Sequence, residues 1–406
     1  MIHPLPPSPD YGGGAGNSSP VVGGGWEGVN HYAIRRREQS MNTAKVAVLP
    51  EIRPPQSRPF VIQEVTIPAL VEGAVLGKMV MAGVCGTDVH ILHGKVPVRI
   101  PAVLGHENVA RVEAIGGDKP IYDITGQPVA VGDLITWLPK SCMNCYNCTI
   151  LGDPAKCTKR IGYGGWVTTA DKPPYLVGGF AEYTWILPDS DLVLIPPNVP
   201  PEAVVLGDAL RVMVHGLERI GGLDYGDTVV VQGCGAVGMM GLILARDAGA
   251  GKVIVIGGPP ARLALAREFG ADETLDITQL SSAERIARVL ALTQGRGADV
   301  IFECAGVPAA VVEGLEMVRI NGRYLIAGHY GDAGPAPINP HLINKKQITI
   351  TGAWSAANKH FLRGLTLLSK VPVAKLVTHR FALAEINDAL IAAERQEVLK
   401  AVIVPF

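Results

Sequence analysis

The sequence predicts an α/β protein in two parts: a β-rich part and a doubly wound parallel-sheet part. Three observations carry this. The chain has 406 residues, more than one small core organises. Its texture changes near residue 203, from short apolar runs broken by Gly, Pro and Asp to strands alternating with helix patterns. A glycine-rich turn at 233–238 then joins a strand pattern to a helix pattern.

Residues 1–40 hold Gly12-Gly13-Gly14, Gly23-Gly24-Gly25 and several prolines, and so little to bury. They predict a disordered N-terminal extension. Met41 opens a stretch that reads like an ordinary protein start. The preceding forty residues are therefore expected to be an upstream extension or a mis-assigned start.

Domain boundaries follow from the texture. Three stretches are expected, over 41–202, 203–352 and 353–406. In the β-rich part, apolar runs at 78–84, 110–114, 134–138 and 184–187 predict strands between close-set turn residues. In the second part, strands are expected at 228–232, 252–256, 299–303 and 323–327, and helices at 209–219, 237–250 and 261–269. Apolar strands separated by helices imply a parallel sheet covered on both faces. The last stretch predicts helices at 359–368 and 383–395 and a closing strand at 401–404.

Composition narrows the function. Apolar residues make up 48% and charged residues 18%, which allows a large core. A net charge of −1 with 5% aromatics offers no basic face for nucleic acid. The longest apolar stretches, such as 237–245, are stopped by charge (Arg246), and none reaches the ~18 residues a membrane span needs. No secretory signal is evident, and four of the seven cysteines crowd between 142 and 157. A reducing compartment, the cytoplasm, is therefore expected.

Gly233-Cys234-Gly235-Ala236-Val237-Gly238 has the strand–turn–helix setting of a dinucleotide site. The first glycine permits a tight turn, the second lets the backbone approach a pyrophosphate, and the third lets helix pack on strand. The helix N-terminus attracts the phosphate charge. An acidic residue normally follows about 20 residues later to hold the ribose 2′-hydroxyl. Gly257 stands there instead, so a 2′-phosphate meets no carboxylate, and NAD or NADP is expected. Arg262 is a candidate contact for the adenosine ribose or its phosphate, or a solvated helix residue.

Cys142-x2-Cys145-x2-Cys148-x8-Cys157 has the spacing of a closed tetrahedral zinc site in a lobe at about 140–160. The alternatives are two disulfides or four free thiols. A second, dispersed set lies in Val84-Cys85-Gly86-Thr87-Asp88-Val89-His90 and Gly105-His106-Glu107.

These motifs, in this order, resemble those of the zinc-containing medium-chain alcohol dehydrogenase family over residues 45–406. The resemblance implies a GroES-like catalytic domain built from both chain ends, 41–202 together with 353–406, with a Rossmann cofactor-binding domain inserted between them at 203–352. It makes Cys85 and His106 catalytic zinc ligands. The family's third ligand is usually a cysteine just before the first helix of the cofactor domain. Here Leu206-Gly207-Asp208-Ala209 occupies that place, so Asp208 becomes the expected ligand, or else only the cap of helix 209–219. A carboxylate has a thiolate's charge and binds zinc at about 2.0–2.2 Å. Glu107 is the alternate ligand, or sits beside the metal. Asp88 would orient the ligands, while Thr87 and His90 would carry the proton outward; turn capping and a surface histidine are their plainer roles.

Gly328 would border the cofactor, and His329, Trp137, Leu138 and Trp354 fall in segments at the nicotinamide or the substrate, as rim or core. The implied activity is hydride transfer between an alcohol, or its aldehyde or ketone, and NAD(P), with two zinc ions per chain. The partner is a small molecule, in a homodimer or homotetramer. A polyol or amino-alcohol dehydrogenase and a non-catalytic nucleotide-binding relative are the rivals.

Overall fold

The computed structural model describes residues 43–331 and 333–406, so the extension expected over 1–40 lies outside them. Two large sheets dominate. The first joins strands Asp191–Leu194, Leu134–Leu138, Glu107–Ile115, Val75–Val84, Lys400–Val404 and Val377–Ala382 in that order, with Tyr183–Ile186 also on Val75–Val84. The closing strand, from the far end of the chain, is central to this sheet. It runs antiparallel to Val75–Val84, pairing Ala401 with Val84 and Val402 with Gly83. Gly83 in turn pairs with Glu107. This register brings Cys85, Glu107 and Lys400 to one end of three adjacent strands. A small sheet of Thr43–Leu49, Val61–Thr66 and Ala102–Val103 packs on the same core, around Phe180, Met79, Ile91 and Leu104.

The second sheet is wholly parallel. Its order is Glu273–Asp276, Lys252–Gly257, Thr228–Gln232, Ala298–Glu303, Val318–Ile326 and Thr349–Gly352. Val229, Val230 and Val231 are all fully buried, as strands covered on both faces require. Strand order reverses between Thr228–Gln232 and Ala298–Glu303, which opens a crevice at their carboxyl ends, and Gly233 begins there. The α/β class and both sheet types match expectation.

Several boundaries moved. The helix expected at 237–250 is Ala236–Asp247, ended by Ala248 and by Gly249 at φ 92°. The helix expected over 383–395 is a short 3₁₀ turn, Leu383–Glu385, followed by Ile386–Glu394. The helix expected at 209–219 is Gly207–Arg219. Its N-cap is Leu206, with no side-chain cap bond, so Asp208 lies inside the helix and the reading of it as a cap fails.

Candidate active site and four-cysteine lobe

Cys85 leaves strand Val75–Val84 and N-caps helix Gly86–Leu92. Its backbone N–H donates to Asp88 Oδ2 at 2.9 Å, which fixes the turn. Asp88 is fully buried, and its other oxygen, Oδ1, has no hydrogen-bond partner. That oxygen lies 3.6 Å from Nδ1 of His106, which is itself buried and unpartnered. Donor atoms of Cys85, His106 and Glu107 lie within 4.8 Å of one another. Burial pulls the His106 pKa down, but the Asp88 carboxylate and Cys85 outweigh it and hold it well above its usual value. The site therefore calls for positive charge, and its thiol, imidazole and carboxylate suit zinc. The Cys85 thiol also points to Thr87 Oγ1 at 3.6 Å.

Asp208 approaches from helix Gly207–Arg219. Its Oδ1 accepts from Arg211 Nε at 2.7 Å. Arg211 is only 6% exposed, and its Nη1 is buried without a partner. Burial raises the Asp208 pKa, but Arg211, His106 and Lys400 outweigh it and keep the carboxyl below its usual range. Asp208 is thus an ionised group held at one oxygen by Arg211 and influenced by the charge of His106, but it is not among the donor atoms that cluster with Cys85 and His106. The metal-competent cluster itself contains Glu107 as its carboxylate.

Sequence reasoning missed Lys400. Its ammonium pairs with Glu107 Oε2 deep in the sheet. Burial opposes the charge, but Glu107, Cys85 and Asp88 raise its pKa. Burial lifts the Glu107 pKa, partly offset by Lys400 and His106. Gly83 makes the room: a Cβ there would collide with Glu107 Oε2 and lie 2.9 Å from Lys400 Cε. The available signal was one lysine at the head of the apolar run Ala401-Val402-Ile403-Val404.

His90, in the last turn of helix Gly86–Leu92, is half-buried rather than on an open surface. Its ring meets His329 edge-on at 4.6 Å, and His329 meets Trp354 edge-on at 4.9 Å. Burial, then the charges of His329 and Lys95, lower its pKa. Trp137 and Leu138 are each 4% exposed and belong to the core, while Trp354 is 63% exposed.

The glycine turn fits a dinucleotide. Gly233 adopts φ 99°, and a Cβ there would press on Ala305. At Gly235 a Cβ would meet nothing within 4 Å, which leaves open space beside the backbone. Ala236 and Val237 begin the helix, whose first turn has no side-chain cap to occupy its N–H groups. Gly238 packs against the Gly233 carbonyl. At the ends of the next strands, the buried Glu303 carboxylate accepts from Ala305 and Gly306 N–H, both at 2.8 Å, and from Tyr330 Oη at 2.6 Å. It thereby ties the 304–306 turn to the loop carrying Gly328 and His329. Gly257 is closed by its neighbour, because a Cβ there would collide with Cys234 Sγ. Arg262 donates from Nη2 to the carbonyls of Gln396 (3.1 Å) and Val398, so its guanidinium reaches the C-terminal segment.

The sulfurs of Cys142, Cys145, Cys148 and Cys157 also lie within 4.8 Å of one another. Cys145 is 3.5 Å from Cys148 and 4.0 Å from Cys157. All seven cysteines are free, which removes the two-disulfide alternative. Four sulfurs at these distances suit a closed zinc site.

Two family models match the chain: an alcohol dehydrogenase GroES-like domain over residues 71–197 and a zinc-binding dehydrogenase domain over 236–370. The chain is 34% identical over 338 residues to 5-exo-hydroxycamphor dehydrogenase of Pseudomonas putida, covering 82% of this chain and 91% of that protein. It is similar to the solved alcohol dehydrogenase of Thermotoga maritima, with TM-score 0.84, 34% identity, and coverage of 90% of this chain and 100% of that one. A zinc-binding dehydrogenase from Sinorhizobium meliloti, solved bound to NADP, matches with TM-score 0.77 and 26% identity over 90% of this chain and 100% of that one.

Proposed function

Because the chain belongs to the zinc-containing medium-chain alcohol dehydrogenase family, we propose that it moves a hydride between an alcohol, or its aldehyde or ketone, and NAD(P). Membership makes it an oxidoreductase of the zinc-type alcohol dehydrogenase family, and it supports a zinc ion working with a nicotinamide cofactor. One observation carries the finer reading: Cys85, His106 and Glu107 converge beside the ionised Asp208.

Cys85, His106 and Asp208 would hold the catalytic zinc. Glu107, anchored by Lys400, stands ready as the neighbouring carboxylate. Zinc at this place supplies Lewis acidity toward a substrate hydroxyl. Asp88 orients His106 through Oδ1. Thr87 Oγ1 would accept the substrate hydroxyl proton as the Thr87 hydroxyl gives up its own hydrogen, and a ring nitrogen of His90 would be the eventual acceptor. The turn at 233–238 binds the pyrophosphate, and the absence of a carboxylate at Gly257 admits either nicotinamide cofactor. The four-cysteine lobe would hold the second, structural zinc.

The relative that acts on hydroxycamphor favours a secondary alicyclic alcohol as substrate. The test is absorbance of NAD(P)H with primary, secondary, cyclic and polyhydroxy alcohols and both cofactors. Turnover of a secondary alcohol supports the reading, whereas no turnover of any alcohol or carbonyl by zinc-loaded protein contradicts it.

A further inference from the structure

Three features meet at the segment Trp354–Ala356, just past the edge strand Thr349–Gly352. Ser355 lies in the left-handed region at φ 63°, a costly conformation for a serine. Two side chains from different elements hold it there. His215, two turns after Asp208 on the same helix, bonds the Ser355 carbonyl through Nδ1 at 2.7 Å. Arg160 bonds Ser355 Oγ through Nη1 and the Ala356 carbonyl through Nη2 at 2.9 Å.

Arg160 belongs to the four-cysteine lobe, three residues after Cys157. The same guanidinium donates back to the Ala155 carbonyl at 3.1 Å. A second lobe residue, Lys156, places its ammonium 5.9 Å from the Trp354 ring centroid. Trp354 also meets His329 edge-on, and His329 meets His90 edge-on. The lobe, the strained segment and the candidate proton carrier therefore form one continuous set of contacts.

Arg160 is an expensive residue for a mere tie. Burial and the repulsion of Arg211 push its guanidinium down to about 10, with Asp208 opposing. Its Nε is buried without a partner. A planar fork fixed at two nitrogens holds a backbone turn in one geometry in a way that a flexible ammonium does not.

We infer that Arg160 is a positioning residue: it transmits the geometry of the four-cysteine lobe to Trp354–Ala356 and so sets how the alcohol is held beside the metal centre. The inference rests on the dehydrogenase reading for its kinetic consequence, but its structural content can be measured separately.

The experiment uses the full zinc-loaded chain and the best alcohol found for the wild type. Arg160→Ala should raise KM for that alcohol by about tenfold while kcat changes much less, as expected when substrate positioning is lost. Zinc in the four-cysteine lobe should stay at the wild-type level. Millimolar guanidinium should restore much of the loss in Arg160→Ala, and Arg160→Lys should remain impaired. Hydrogen exchange at 353–357 should rise in Arg160→Ala, a readout that holds even if no alcohol is turned over. If Arg160→Ala does not fold, Ser355→Ala removes the same Oγ contact and should show the same KM rise and exchange change on a smaller scale. Unchanged exchange at 353–357 overturns the inference. So does a KM within twofold of wild type, or a loss that tracks lobe zinc and resists guanidinium.

Discussion

Lys400 places its ammonium against the carboxylate of Glu107 inside the β-rich core, and each side chain is 2% exposed. Removing one partner of a buried pair strands the other. Lys400→Met should therefore destabilise the fold by about 3–5 kcal/mol, and Lys400→Met combined with Glu107→Gln should recover much of it. Urea unfolding of the two variants checks this. A single mutant within about 1 kcal/mol of wild type would show that the pair holds little.

Asp208 is the proposed third zinc ligand and Glu107 its alternate. Asp208→Asn keeps the shape and loses the charge proposed to bind zinc. It should lose the catalytic zinc and most activity while the lobe zinc stays, and Glu107→Gln should keep both ions. Metal analysis of the two variants decides, and the opposite pattern would move the ligand role to Glu107.

Because a Cβ at 257 would collide with Cys234 Sγ, cofactor choice should depend on both positions. Gly257→Asp alone should weaken NAD and NADP by about tenfold or more, since the new Cβ runs into Cys234 Sγ. Adding Cys234→Ala removes the sulfur, though the Cβ that alanine keeps and the backbone N, both at 3.1 Å, remain close. The double variant should regain NAD and still reject NADP, because its new carboxylate repels the 2′-phosphate. Nicotinamide fluorescence titrations measure both affinities, and a single variant that binds NAD normally would refute the steric coupling.

His90 predicts the acid limb of alcohol oxidation. A proton acceptor must be neutral, and its pKa is lowered, so activity should persist below 6.5 and fall only as pH drops through the depressed value. Lys95 contributes to that lowering, so Lys95→Gln should move the limb upward. The pH dependence of kcat is the measurement, and a limb indifferent to both Lys95→Gln and His90→Gln would exclude this role.

Much of the fold was legible because its signals are local. Strands Leu134–Leu138 and Thr228–Gln232 were read to the residue, since apolar runs there end abruptly at Pro139 and at Gly233. The cysteine spacing and the glycine turn were equally plain. Lys400 was hidden because its partner lies 293 residues away in sequence and only sheet register joins them. Arg160 was hidden for the same reason: its acceptors at Ser355 and Ala356 come from the edge of the other sheet. The obstruction at Gly257 was invisible because a missing carboxylate says nothing about what fills the space.

Metal dependence is the most direct test of the central claim. Purified protein should carry two zinc ions per chain. Mild chelation should remove the more open one first, abolishing alcohol-dependent NAD(P)H formation before the fold is lost, and added zinc should restore the rate. Undiminished turnover after the Cys85–His106 site has been emptied, with the four-cysteine site still filled, would contradict the account.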